Sequence, residues 1–338
     1  MSKSKIKIIA EIGVNHDGSL AKAIKLVRLA KKIGADVVKF QAFDANKLCK
    51  VDAPKTFHQK LNIPKKITQF EMLKKLELKP ADFLKIFKLC KKLNIEFLCT
   101  PYDLGSVDLL EKLGVKSYKV SSQDLVDFQL HERIIKTGKT VILSTGASSF
   151  LEIEKTINFY KRKKHEKIIL MHCLSNYPCS LSNLNLSLIK KLDKKFKYTV
   201  GFSDHSNSMD AAKIAIAFGA SIVEKHFTLN KKDSGPDHSS SFDPNDFKEY
   251  IKGIRQAEKM IGFPEKKIHK EEISFRKFAR KSITLNKNLK KNHILTISDL
   301  SMKRPGTALN GQYFFSILGK KLNKDLKKNY QIKLIDIY

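Results

Sequence analysis

The chain has 338 residues, 42% of them hydrophobic, enough to bury a barrel-sized core and a small second domain. Lys and Arg outnumber Asp and Glu by 65 to 34, yet the lysines are spread along the whole chain. Their pattern reads as a solvated surface that can draw in anionic substrates, and not as a nucleic-acid platform. Five cysteines without a CxxC pair exclude a disulfide framework and a zinc knuckle, and no apolar stretch reaches membrane-spanning length or resembles a signal peptide. These features predict a cytoplasmic protein with free thiols and no membrane or nucleic-acid partner.

Short apolar, β-branched runs alternate with amphipathic stretches, the pattern of βαβ units. Strands are expected at 6–12, 37–41, 95–100, 117–121, 140–144, 167–172, 198–202 and 221–226. Helices are expected at 20–33, 70–76, 80–93, 107–113, 130–136, 150–161, 184–192, 208–218 and 246–261. A polar stretch at 44–68 interrupts the alternation and reads as a lid or binding loop. Eight units in this length fit a (β/α)8 TIM barrel better than an open sheet, so the fold class is α/β. The barrel is expected over 1–264 and a linker over 265–273. A small separate domain should follow over 274–338, with strand-like runs at 282–285 and 332–337.

A TIM barrel places its active site at the C-terminal ends of the strands. Polar residues collect at the predicted ends: Glu11; Lys39 and Gln41; Thr100; Lys119, Ser122 and Asp124; Ser144; Tyr177; Ser203 and His205; Glu224 and His226. Period-2 geometry puts Lys39 with Gln41, and Glu224 with His226, on one side of their strands. Such pairs are costly if buried unpaired, and a ligand cavity removes that cost. His205 and His226 close adjacent strands, so the two imidazoles either hold a divalent metal or make ordinary hydrogen bonds. Lys119, Ser122, Ser144 and Ser203 offer a phosphate cradle, although each serine alone also reads as a helix cap.

Several segments carry a family resemblance. Ala10-Glu11-Ile12-Gly13-Val14-Asn15-His16, Val38-Lys39-Phe40-Gln41, Tyr118-Lys119-Val120-Ser121-Ser122, Gly201-Phe202-Ser203-Asp204-His205 and Val223-Glu224-Lys225-His226 are in order. Together they resemble the N-acetylneuraminate (sialic acid) synthase family, which includes legionaminate and pseudaminate synthases. Lys303-Arg304-Pro305-Gly306-Thr307 is similar to the arginine motif of that family's C-terminal antifreeze-like (SAF) domain.

The resemblance implies a transferase that condenses phosphoenolpyruvate with N-acetylmannosamine or a related N-acylated aldose, releasing phosphate. It implies a divalent metal on His205 and His226, manganese first, with magnesium and cobalt as alternatives. Phosphoenolpyruvate would lie on Lys119, Ser122, Ser144 and Ser203. The sugar would meet Gln41, Thr100, Asp124, Tyr177, Asp237 and Arg304. Glu11, Lys39 and Glu224 would be catalytic. Arg304 would reach the partner's sugar in a domain-swapped homodimer. The rival reading from a different class is a non-catalytic polyanion- or carbohydrate-binding protein.

Overall fold

Each apolar run of the first part of the chain forms one strand of a single parallel sheet in the computed structural model, which describes residues 5–262 and 264–338. The order begins β1 (Lys7–Gly13), α1 (Leu20–Ile33), β2 (Val37–Ala42), α2 (Ala45–Leu48), α3 (Phe57–Asn62), α4 (Gln69–Leu76) and α5 (Pro80–Leu93). It continues β3 (Glu96–Pro101), α6 (Leu104–Leu113), β4 (Ser117–Val120), α7 (Phe128–Ile135), β5 (Thr140–Ser144), α8 (Phe150–Arg162) and β6 (Ile168–Cys173). It ends with α9 (Leu188–Phe196), β7 (Thr199–Asp204), α10 (Ala211–Ala217), β8 (Ile222–His226) and α11 (Pro244–Ile261). The sheet order is β3-β2-β1-β8-β7-β6-β5-β4, and the end strands β3 and β4 pack side by side. The sheet therefore curls into a near-closed barrel of the (β/α)8 type.

The helices cover the outside through apolar stripes. In α1, Ala23, Leu26, Val27 and Ala30 recur at helical spacing and are buried. The Ser19 side chain accepts from the Lys22 N–H at its start, and Gly34, at φ 106°, takes the left-handed turn that ends it. Outward strand residues such as Ile8, Val38, Phe97, Leu143 and Val223 pack beneath these stripes.

Inside the barrel, Ile9, Val37, Leu98, Ile142, Met171 and Ile222 form a separate apolar layer. Two residues further along the same strands come Glu11, Lys39, Thr100, Ser144, Cys173 and Glu224. Because side chains alternate, each apolar plug residue predicts a polar one above it on the same inner face. The plug is tightly filled: a Cβ on Gly201 of β7 would lie 2.4 Å from Met171 Sδ and 2.9 Å from the Ile222 carbonyl oxygen.

The chain divides into Met1–Gly262 and Phe263–Tyr338. In the second unit, α12 (Lys270–Ala279) begins inside the stretch expected as a linker. β9 (Ser282–Leu285) pairs antiparallel with β10 (Leu300–Lys303) over a small core that includes Ile283, Leu300, Leu322 and Ile332. Two other expected elements, one strand and one helix, take other forms. The run at 332–337 contains a 3-10 turn, Leu334–Asp336, because Asp336 accepts from the Lys333 N–H at 2.9 Å and closes the chain on itself. The helix expected at 184–192 begins only at Leu188, after Asn185 adopts a positive φ of 44°. The stretch 44–68 is also not structureless, since α2 and α3 lie within it.

Gly201→Ala should lower the barrel's unfolding midpoint, by about 1–3 kcal/mol of stability for an overpacked interior. Denaturant titration followed by tryptophan-free far-UV circular dichroism checks this.

Candidate active site

The cavity at the C-terminal ends of the strands measures about 560 Å³, a size suited to small-molecule substrates. Its base is a charge cluster. Lys39 Nζ lies 2.9 Å from Glu224 Oε1 and 3.5 Å from Glu11 Oε2. Lys119 Nζ stands 3.9 Å from Glu224 Oε1 and donates to Ser144 Oγ. Ser203 Oγ donates to Glu224 Oε1 at 2.9 Å, and Gln41 Nε2 donates to Glu11 Oε1 at 3.0 Å. All four charged residues are almost completely buried.

Burial sets the charge states. It works against ionisation of Glu224, but Lys119 and Lys39, with hydrogen bonds from Lys39 and Ser203, hold that carboxyl well below the usual range. Burial also opposes the Lys39 charge, and Glu11 and Glu224 outweigh it, so its ammonium is firmer than usual. Glu11 is different: burial pushes it up to about 7 against the pull of Lys39. Burial pulls Lys119 down to about 8. The cluster thus contains one fixed ion pair and two groups that titrate near neutrality.

Above it sit the two imidazoles. The rings of His205 and His226 are 5.7 Å apart centroid to centroid. His205 Nδ1 faces the Leu174 carbonyl oxygen at 2.8 Å, which makes Nδ1 the protonated nitrogen and leaves the Nε2 lone pair unused, 3.2 Å from a Ser203 Oγ whose proton goes to Glu224. Burial holds His205 down to about 4, and burial with His205 and Lys39 nearby pushes His226 well below its ordinary value. Both are neutral, as metal ligation requires. His226 Nδ1 is buried without a hydrogen-bond partner among the described residues and lies 3.8 Å from Asp237 Oδ2. With metal–nitrogen bonds of ~2 Å, the ring spacing suits one shared ion.

The structure brings Glu11, Lys39, Gln41, Thr100, Lys119, Ser122, Ser144, Tyr177, Ser203, His205, Glu224, His226 and Asp237 to this one cavity. Asp124 is not among the lining residues; it accepts from Ser121 Oγ at 2.6 Å, behind the wall that Ser121 and Ser122 form. Arg304 lies in the second unit, where its Nε donates to the Ala279 carbonyl at 2.9 Å. Lys225 and Asp204, charged residues near the ends of β8 and β7, point out of the barrel. They lie 3.5 Å apart with no exposed side chain, and Asp204 also accepts from Tyr250 OH at 2.8 Å.

Sequence reasoning gave no role to Tyr102, which is half-buried and lines the wall, or to Thr56, Gln59 and Gln69 from the stretch after β2. Tyr102 directly follows the last residue of β3, a position that could have signalled it. Another cluster, Asp17, Asp233 and His238, has metal-capable atoms close together. Lys22 already bridges both carboxylates there, and His238 Nε2 meets Asp17 Oδ1 at 2.9 Å, so it is an ion-pair network.

Two neutral imidazoles over a buried lysine–carboxylate cluster mark the protein as a (β/α)8-type barrel with a charged cavity at its mouth. The model of the NeuB family matches residues 26–266, and the chain belongs to that family. It is 38% identical to N,N'-diacetyllegionaminic acid synthase of Campylobacter jejuni over 97% of this chain and 99% of that one. It is 31% identical to pseudaminic acid synthase of Helicobacter pylori over 98% of this chain and 97% of that one. Among solved structures, N-acetylneuraminic acid (sialic acid) synthetase of Leptospira borgpetersenii in complex with citrate superposes with a TM-score of 0.71. That match has 31% identity and covers 81% of this chain and 92% of that one.

Glu11 gives a pH signature. Its folded value of about 7 exceeds its ordinary 4.5, so its contribution to stability is full below about 4.5 and is lost as pH rises through about 7. Glu11→Gln should remove that loss. In thermal melts from pH 5 to 8 without ligand, the variant should gain on the wild type as pH rises.

Proposed function

We propose that the protein is a sialic-acid-type synthase that joins phosphoenolpyruvate to the aldehyde carbon of an N-acylated aldose, giving a nonulosonic acid and phosphate. The observation that carries this reading is the stacking, in one cavity, of a lysine-bearing cluster and two neutral, closely spaced imidazoles. Membership of the NeuB family and the names of the relatives support it.

His205 and His226 would hold a divalent cation, manganese by preference; when bound, it would supply Lewis-acid polarisation of a carbonyl oxygen. Lys119, its charge present at neutral pH, would anchor an anionic group of phosphoenolpyruvate with Ser144, Ser122 and Ser203 beside it. Glu11, near 7, is suited to take the proton from the water that adds at C2 of the enol phosphate as phosphate leaves. Lys39 and Glu224 keep each other ionised and fix the field around that step. Tyr177, whose ring centroid is 4.1 Å from that of His205, would pack along the sugar with Gln41, Thr100 and Asp237.

The second unit is read as the family's antifreeze-like domain, with Arg304 supplied to a partner subunit's sugar in a homodimer. The 38% identity to an N,N'-diacetyllegionaminic acid synthase, against 31% to the solved N-acetylneuraminic acid synthetase, favours an aldose with two acetamido groups over N-acetylmannosamine.

Two outcomes check the proposal. With phosphoenolpyruvate, manganese and a panel of N-acyl hexosamines, inorganic phosphate should appear only when a sugar is present, and His205→Ala with His226→Ala should abolish it. Phosphate release that survives metal stripping would remove the cation from the reaction. Lys119→Met should raise the KM for phosphoenolpyruvate about 10- to 100-fold, the loss of one charge-assisted anchor. In the wild type that KM should climb above pH 8.

A further inference from the structure

One part of the cavity wall does not come from strand ends. Thr56 and Gln59 belong to the start of α3, and Gln69 opens α4. Both glutamines line the cavity, beside Leu48, Leu73 and Phe43. The end of α3 is fastened to the loop after β8: Asn62 Nδ2 donates to the Pro236 carbonyl at 3.1 Å, and Ser239 Oγ donates to Asn62 Oδ1 at 3.2 Å. The same loop carries Asp237, so the segment and the strand-end wall belong to one enclosure.

The orientation of both amides follows from one backbone donor. The Thr56 N–H can only donate, and it meets the Gln59 side chain at 3.0 Å, so the atom there is the oxygen Oε1. Gln69 meets that same oxygen at 3.1 Å, so it must present its Nε2. What remains is the NH2 group of Gln59, a donor, and the Oε1 of Gln69, an acceptor. Neither has a protein partner among the described residues. A donor next to an acceptor is the complement of a secondary amide, which offers a carbonyl oxygen and an N–H. The neighbouring Leu48 and Leu73 suit the methyl group of an acetyl.

Resting on the synthase reading above, we propose that Gln59 and Gln69 form a recognition site for a second acetamido group on the aldose, and that they select a diacetamido hexose over one with a single acetamido group. A site built to satisfy both ends of an amide discriminates against a sugar with a hydroxyl there, because the glutamine groups would be left unpaired. The glutamines come from α3 and α4, not from the strand ends that carry the lysines and serines assigned to phosphoenolpyruvate, so the site acts on sugar choice.

Gln59→Glu tests this without disturbing the fold. Glutamate keeps the capping box with Thr56 and still accepts from Gln69, but it replaces the NH2 donor by an oxygen facing the acetyl carbonyl. Gln69→Leu removes the acceptor and leaves the α3 cap intact. In each variant, the ratio of kcat/KM for a 2,4-diacetamido hexose to that for N-acetylmannosamine should fall at least tenfold from the wild-type ratio. Calorimetric titration of the diacetamido sugar, without phosphoenolpyruvate, should show weaker binding by a similar factor. An unmoved ratio with unmoved binding would overturn the amide site. Gln59-dependent sugar binding without phosphate release from any sugar would overturn the synthase reading and leave the amide site standing.

Discussion

The ion pair between Lys39 and Glu224 is the constraint on which the barrel mouth depends. Two charges with hardly any solvent contact cost several kcal/mol each to desolvate, and such a pair holds only when its remaining donors and acceptors are met. Ser203 and Lys119 meet Glu224, and Glu11, itself held by Gln41, faces Lys39. Removing any one member would leave a buried charge without its partner. The apolar layer of Ile9, Val37, Leu98, Ile142, Met171 and Ile222 lies directly below and supplies the rigid floor that keeps the cluster in register.

The pair also decides how its neighbours titrate. With Lys39 and Glu224 locked as ions, burial acts most visibly on Glu11 and Lys119, which move toward neutrality from opposite sides. Desolvation and the Lys39 charge keep the imidazole of His226 unprotonated, and desolvation does the same for His205. One electrostatic arrangement therefore yields a carboxyl and a lysine that titrate near neutrality and a pair of unprotonated imidazoles within one cavity. The net charge of +31 surrounds it with a field that favours arrival of anions.

Much of this was legible in the sequence because strands have a strict period. The strand pattern located the mouth, and the two-residue step on Lys39–Gln41 and Glu224–His226 placed those side chains on one wall. The same period shows why Asp204 and Lys225 do not belong there: Asp204 lies between Ser203 and His205, and Lys225 between Glu224 and His226, so each faces the helices. Their mutual pairing and the Tyr250 hydroxyl explain how charged residues survive in that position. Asp124 was harder, because it follows β4 in a turn with no fixed periodicity, and there it bonds to Ser121 and not to the cavity. The stretch 44–68 lacks long apolar stripes, and its helices α2 and α3 are held by end caps and by tethers such as Asn62 to Pro236, contacts that only three-dimensional proximity reveals.

In the proposed synthase, residues from separate strands converge so that one cation would sit between two imidazoles, over the buried ion pair. Anomalous diffraction at the manganese edge, from crystals grown with manganese and phosphoenolpyruvate, tests it most directly. A single strong peak is expected at ~2 Å from a nitrogen of both His205 and His226, with the phosphate of the ligand near Lys119. A peak at Asp17, Asp233 and His238, with none at the two imidazoles, would contradict it.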